Sequence, residues 1–365
     1  MSQNVTVLGA GSWGTALAMV LADNGHRVKL WARRNEQVDE INHKHTNNKY
    51  LPSVTLPKNL EATTSFEEAI EHGDALLISV PTSAMRETVA SLVNINKSFP
   101  YVVHASKGIE PDSLLRVSEV MMDAGIDQVT NGIVCLSGPS HAEEVAKRQP
   151  TTVTVSSETY DDAKAAQDLF NNQHFRVYTN EDMVGVEFGG SLKNVIALAV
   201  GLAEGLGFGD NAKSAIMTRG LAEITRLGTH LGAKPLTFSG LSGLGDLIAT
   251  CTSKHSRNWR AGYQLGRGKA LETVLHEMGM VVEGVKTTRA MQQLADREGI
   301  EVPITSALYD VVFNHQKPES ASEQLMGRLK KNEQEDFYPN VTDKITPFFL
   351  ATYHKHYQLE RRCVS

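Results

Sequence analysis

Lys193 stands within Gly189-Gly190-Ser191-Leu192-Lys193-Asn194, inside the most apolar stretch of the chain. An ammonium buried there is costly unless it is paired, and burial lowers its pKa toward the range useful for proton transfer. Such a lysine can take the proton of an alcohol as hydride leaves, or return it in the reverse direction. The alternative is a helix-end lysine that reaches out to solvent. Asp246 follows the flexible Gly240-Leu-Ser-Gly-Leu-Gly245 loop and either pairs with that lysine or caps the next helix. Lys107, in Ser106-Lys107-Gly108, falls just past the carboxyl end of a predicted strand, where open α/β sheets bind ligands. Gly138-Pro139-Ser140-His141 follows another such strand and offers backbone N–H groups and a hydroxyl to a polar substrate; His141 by itself reads as a surface or packing residue. Ser256-Arg257-Asn258 opens a helix with a hydroxyl, a cation and an amide together, a suitable grip for a phosphate.

A second kind of chemistry is written at the start of the chain. Gly9-Ala10-Gly11-Ser12-Trp13-Gly14 lies directly after the first strand and opens a helix. Gly9 allows the tight turn, Gly11 lets backbone approach a pyrophosphate, and Gly14 lets helix and strand pack closely. The helix N-terminus then offers unpaired N–H groups to the anion. The second strand ends in Arg33-Arg34, where an NAD-specific site usually places an acidic residue for the ribose 2′-hydroxyl. Two guanidiniums suit a 2′-phosphate instead, so NADP(H) is preferred, with NAD(H) possible; the alternative is a merely solvated surface pair.

The elements that must position these residues change character along the chain. Up to about residue 180, β-rich runs at 4–8, 27–32, 75–80, 101–105, 132–136, 151–156 and 175–178 alternate with helical patterns at 12–23, 65–72, 82–92 and 159–171. That alternation predicts a mostly parallel, doubly wound Rossmann-type sheet with helices on both faces. Thr64-Ser65 ahead of Glu67-Glu68 reads as a capping start. Beyond about residue 182 the β signal disappears. Residues 183–206 are apolar almost all round, as in a helix buried inside a domain. Met217, Leu221, Ile224 and Leu231 form an amphipathic stripe, with Asp210 and Asn211 as candidate N-caps, and further helices are predicted near 258–266, 283–298 and 320–330. The expected organisation is α/β plus all-α: a nucleotide-binding domain over 1–181, an all-helical catalytic domain over 182–350 and a flexible tail over 351–365.

Composition bounds the rest. A chain of 365 residues with 41% hydrophobic and 21% charged residues is ordinary globular material. Its net charge of −6 argues against a nucleic-acid partner, since phosphate neutralisation needs a basic surface. Cys135, Cys251 and Cys363 form no Cys-x-x-Cys pair, and no His-Glu-x-x-His motif occurs, so no metal is expected. No signal peptide is recognised and no stretch is read as approaching the ~20 apolar residues of a membrane span, which leaves a cytoplasmic protein as the expectation.

With these residues placed, the chain resembles the bacterial-type NAD(P)-dependent sn-glycerol-3-phosphate dehydrogenases. The likeness is carried in order by residues 9–18, Tyr50-Leu51-Pro52 with Leu56-Pro57, Ser106 to Glu110, Ser137 to Ser140, Gly185 to Asn194, Gly243 to Leu247, Ser256 to Asn258 and Val282 to Val285. The resemblance implies a 6-phosphogluconate-dehydrogenase-like fold and reversible hydride transfer between NAD(P)H and dihydroxyacetone phosphate, feeding glycerophospholipid synthesis, by a homodimer. It makes Lys193 the catalytic proton acceptor. Lys107, Gly138, Ser140, Lys193, Asp246, Ser256, Arg257 and Asn258 would hold the substrate. Gly9, Gly11, Ser12, Trp13, Gly14, Arg33, Arg34, Lys107, Ala142, Arg257, Val281 and Glu283 would line the cofactor site. A related dehydrogenase acting on a β-hydroxyacid or ketopantoate shares the glycine turn and helix lysine but does not account for Gly-Leu-Gly-Asp-Leu and Ser-Arg-Asn together. A non-enzymatic NADP(H) sensor does not need Lys193 and Asp246.

Overall fold

A computed structural model describes residues 2–279, 281–330 and 332–333. Eight strands form one sheet: β1 (Asn4–Leu8), β2 (Arg27–Trp31), β3 (Leu60–Thr63), β4 (Ala75–Ile78), β5 (Val102–His104), β6 (Ile133–Ser137), β7 (Thr151–Ser157) and β8 (Phe175–Asn180), in the order 3-2-1-4-5-6-7-8. Strands β1 to β6 pair in parallel, β7 runs antiparallel to β6, and β8 is parallel to β7. The strand order reverses between β1 and β4, the switch point at which doubly wound sheets open a ligand crevice. β4 is buried along its whole length, as its unbroken apolar run requires when both faces are covered. One apolar cluster joins β1, β2 and the Ser12–Asp23 helix, and another fills the opposite face around Met85, Val89 and Val120.

The chain leaves the sheet at Asn180, and among the described residues every later regular element is helical. The Met183–Gly205 helix is the axis of this half, buried on nearly all sides, and Leu192, Val195, Ile196 and Leu198 anchor its core. By length and composition it could cross a membrane, with mean hydropathy 1.4 over its most apolar window, contrary to the expectation that no stretch comes near this. Yet 94% of that window is buried inside the protein, so other helices occupy the place that lipid would take. The Arg257–Gly266 helix crosses it closely: a Cβ on Gly262 would lie 2.0 Å from the Leu198 carbonyl oxygen. Only glycine permits that approach.

Several expectations need correction. Strand β3 is only four residues, Leu-Glu-Ala-Thr, with one β-branched residue, and goes unpredicted: so short a run carries little signal, and pairing with β2 rather than local propensity makes it a strand. Asp210 and Asn211 do not cap the Asp210–His230 helix; Gly209 holds the cap position and Asp210 is already helical. The helix predicted over 320–330 spans Pro318–Met326, starting earlier because proline fits the first turn. Ser65 does cap its helix, accepting from Glu68 N. The expected tail over 351–365, with Cys363, lies outside the described residues.

Candidate active site

Parallel pairing places the carboxyl ends of β1, β2, β4, β5 and β6 along one edge of the sheet. The Gly9–Gly14 turn follows β1, Arg33-Arg34 follows β2, Lys107 follows β5 and Gly138 follows β6. The turn is packed as its glycines require: a Cβ on Gly14 would sit 1.9 Å from the Gly9 carbonyl oxygen, and one on Gly9 would meet Ser79 O at 2.4 Å. Gly11, the N-cap of the Ser12–Asp23 helix, has nothing within 4 Å of a Cβ position, so its backbone borders open space where a pyrophosphate fits. Trp13 Nε1 is buried with no hydrogen-bond partner among the described residues, a donor awaiting an acceptor. Beneath the turn, Gln37 and Asn47 both donate to Ala10 O, at 2.6 and 3.2 Å, holding the loop open. Arg33 and Arg34 are both exposed; Arg34 donates to Gln37 Oε1 at 3.2 Å and lies 5.9 Å from the Tyr50 ring centroid. Ser12 Oγ donates to Tyr50 O at 2.8 Å, which adds Tyr50 to this end of the crevice.

The second cluster is built where the long helix meets the sheet. Lys193 is only 6% exposed, and its Nζ donates to Asp246 Oδ1 and, at 2.7 Å, to Thr250 Oγ1. Lys107 Nζ donates to the other carboxylate oxygen, Asp246 Oδ2, at 2.6 Å and to Gly138 O at 3.1 Å. Asp246, 1% exposed, therefore carries two ammoniums on one carboxylate. Of the two sequence readings, the pairing with Lys193 is the one the structure has; Asp246 does not cap the Asp246–Thr252 helix, since Gly245 holds the cap position and Asp246 is already helical. Burial lowers the Lys193 pKa to about 8; Asp246 opposes that fall and Lys107 adds to it. Each ammonium has three donors. Two are used on each lysine among the described residues, so one remains on each for a substrate oxygen. Thr250 was not singled out in the sequence; once the helix is known, its i+4 spacing from Asp246 puts both on one face.

The remaining residues surround this pair. Ser140 Oγ donates to Gly138 O at 2.9 Å, and Ala142 begins the short helix that follows. Ser256 Oγ accepts from Trp259 N at 3.2 Å and caps the Arg257–Gly266 helix. Asn258 is tied at both ends of its amide, donating to Asn194 Oδ1 and accepting from Gly284 N, each at 2.8 Å. That makes Asn258 the brace between three helices and fixes Asn194, the neighbour of Lys193. The Arg257 pKa is lowered by burial, with Glu143 and Glu283 acting against this. The Glu283 carboxylate lies against Gly108, and burial raises its pKa. Val281 is exposed on the approach to Glu283. His141 Nε2 donates to Ala249 O at 3.0 Å, tying the loop after β6 to the Asp246–Thr252 helix.

Comparison with known proteins identifies the family. Residues 4–163 match the family described as NAD-dependent glycerol-3-phosphate dehydrogenase N-terminus, and residues 182–323 match its C-terminus. The chain is 60% identical over 342 residues to glycerol-3-phosphate dehydrogenase [NAD(P)+] of Halalkalibacterium halodurans, covering 94% of this chain and 99% of that one. It is 58% identical over 343 residues to the enzyme of the same name from Bacillus subtilis, with the same coverage. The crystal structure of glycerol-3-phosphate dehydrogenase from Coxiella burnetii superposes with a TM-score of 0.85 at 37% identity, covering 90% of this chain and 99% of that chain. A ketopantoate reductase from Ralstonia eutropha shares the fold at a TM-score of 0.56 and 14% identity. The chain belongs to the NAD-dependent glycerol-3-phosphate dehydrogenase family.

Proposed function

We propose that this chain is an oxidoreductase that interconverts dihydroxyacetone phosphate and sn-glycerol 3-phosphate with NAD(P)H. The observation that carries the reading is the buried Lys193–Asp246–Lys107 cluster at the same sheet edge as the glycine turn. When bound, the nicotinamide supplies the hydride. Lys193 Nζ donates a proton to the carbonyl oxygen as it becomes an alkoxide, and takes it back in the oxidation direction. Asp246 and Thr250 hold that ammonium in place, so its free donor is already aimed when substrate arrives. Lys107, Gly138 and Ser140 border the reacting end, and Arg257 offers charge to the phosphate, an anchor remote from the reacting carbon. Ser256 and Asn258, assigned to the substrate by resemblance, support the reading by bracing Arg257 and Asn194.

The proposal extends to a division at 181/182, a homodimer, cytoplasmic location and a role in glycerophospholipid synthesis. The direct test follows loss of NADPH absorbance with dihydroxyacetone phosphate against unphosphorylated dihydroxyacetone. Rapid oxidation that needs the phosphate supports the assignment; no oxidation with either ketone, from protein that still binds NADPH, overturns it. The pH dependence has a definite sign. Reduction needs protonated Lys193, so its rate is expected to be flat in the acid range and to fall about tenfold per pH unit above about 8. Oxidation of sn-glycerol 3-phosphate needs the neutral amine and is expected to rise toward that pH. Initial rates in both directions between pH 6 and 10 check this, and parallel limbs would remove Lys193 from the proton transfer.

We also propose that Arg33 and Arg34 favour the 2′-phosphate of NADPH. A charge-assisted hydrogen bond contributes about 1.5–3 kcal/mol, so replacing both arginines with alanine is expected to raise the NADPH KM by about ten- to a hundredfold. The KM for NADH should move less than about threefold, because that cofactor lacks the group removed from contact. Equal losses for both nucleotides would contradict this role.

A further inference from the structure

We propose that Glu187 is a positioning residue for this reaction: buried beneath the site, it clamps the strand leading to Lys107 onto the helix that carries Lys193. The inference rests on the proposed dehydrogenase reading and adds a residue to which that reading gives no task. Glu187 lies on the Met183–Gly205 helix, six residues before Lys193, and is 5% exposed. A carboxylate there is costly unless nearly every lone pair is met. Its Oε1 accepts from Ser118 N at 2.8 Å and lies 3.4 Å from His104 Nε2. Its Oε2 accepts from Ser118 Oγ at 2.6 Å and from Arg116 Nη1. Burial works against a charge on His104, but Cys135 and Glu187 outweigh it and push the imidazole up to about 10. Burial likewise opposes ionisation of Glu187, yet His104, Arg116 and Ser118 hold its carboxyl at about 2. The carboxylate is thus held by Arg116 and Ser118, with the His104 imidazole against its other oxygen.

The partners of Glu187 are the reason this clamp bears on the chemistry. His104 is the last residue of β5, three before Lys107. Strand pairing sets it beside Cys135 of β6, which leads to Gly138. One helical turn beyond Glu187, Ser191 Oγ accepts from Gly108 N at 2.9 Å and donates to Gly108 O at 3.2 Å. Glu187 and Ser191 sit at i and i+4 on one helix face and tie down both sides of the Lys107 loop. Lys107 and Lys193 reach Asp246 from two separate elements, so their convergence depends on how strand and helix are registered. An apolar contact would hold the two surfaces together without fixing that register, whereas three hydrogen bonds from Ser118 and Arg116, with the His104 imidazole 3.4 Å away, fix it.

The test compares wild type with Glu187→Gln and with Ser118→Ala, which removes one bond and leaves the charge. Glu187→Gln is expected to lower kcat for dihydroxyacetone phosphate by about ten- to a hundredfold while the NADPH Kd stays within about twofold. The alkaline limb of kcat should move by at least about half a pH unit, because Lys193 no longer meets Asp246 and Lys107 as before. Ser118→Ala should show the same pattern at smaller amplitude, and it decides the matter if Glu187→Gln does not fold. Competitive acetylation of Lys193 across pH, read by mass spectrometry, needs no substrate and should show the same shift. Unchanged kcat and limb, or a loss shared equally by NADPH binding, would overturn the clamp. Failure of the wild-type chain to reduce the ketone would overturn the function instead, with the acetylation comparison still deciding the role of Glu187.

Discussion

Replacing Lys193 with methionine is expected to lower turnover of dihydroxyacetone phosphate by about 10³-fold, near the middle of the range for loss of a positioned acid–base group. That corresponds to about 4 kcal/mol of transition-state stabilisation. Methionine keeps much of the length and the apolar stem, so helix packing around Leu192 and Ile196 should survive. It also removes a buried ammonium that Asp246 and Thr250 would otherwise have to satisfy. Asp246 keeps the Lys107 ammonium, so the carboxylate is not left unpaired. The fold should therefore persist, and NADPH affinity, set around the Gly9–Gly14 turn, should change little. Fluorescence titration with NADPH beside steady-state rates separates the two effects. Near wild-type turnover in Lys193→Met would show that the proton reaches the alkoxide from another donor, with Lys107 the first to examine.

The chemistry was more legible in the sequence than the supports that hold it. Lys193 announced itself because an ammonium inside an apolar helix is an energetic anomaly that needs a partner, and Asp246 supplies it. The glycine turn was legible because each glycine answers a local steric demand, and Gly14 against Gly9 bears that out. Thr250 went unread because the helix that places it four residues after Asp246 is short and follows an irregular glycine-rich loop. Glu187, Arg116 and Ser118 lie up to 71 positions apart, and nothing local in the chain says that β5 will bring His104 to them. The bracing task of Asn258 was not legible: its amide joins Asn194 to Gly284 across helices far apart in sequence. Local rules speak to turns and to costly single residues; long-range bracing emerges only once the sheet order and helix crossings are set.

Asp246→Asn should be more damaging to stability than Lys193→Met, and its activity loss should have a different pH signature. Asparagine keeps the shape but removes the single negative charge that two ammoniums share. Breaking a buried pair by removing one partner costs about 3–5 kcal/mol, since the remaining charge is left uncompensated. Here two charges lose their partner, and Lys107 and Lys193 then repel each other with no negative charge between them. The lysine able to relieve this is Lys193, already lowered by burial and by Lys107. Its pKa must fall further once the opposing attraction of Asp246 is gone. At neutral pH the acid needed for ketone reduction is then mostly deprotonated, and a loss of about 10²–10³-fold in kcat is expected. Lowering the pH should recover part of that loss in Asp246→Asn, whereas Lys193→Met has no acid to restore and should stay flat. Rate–pH profiles of both variants, with thermal melting of each, test the two claims together. An alkaline limb for Asp246→Asn at or above the wild-type position would mean that Asp246 is not what sustains the charge on Lys193.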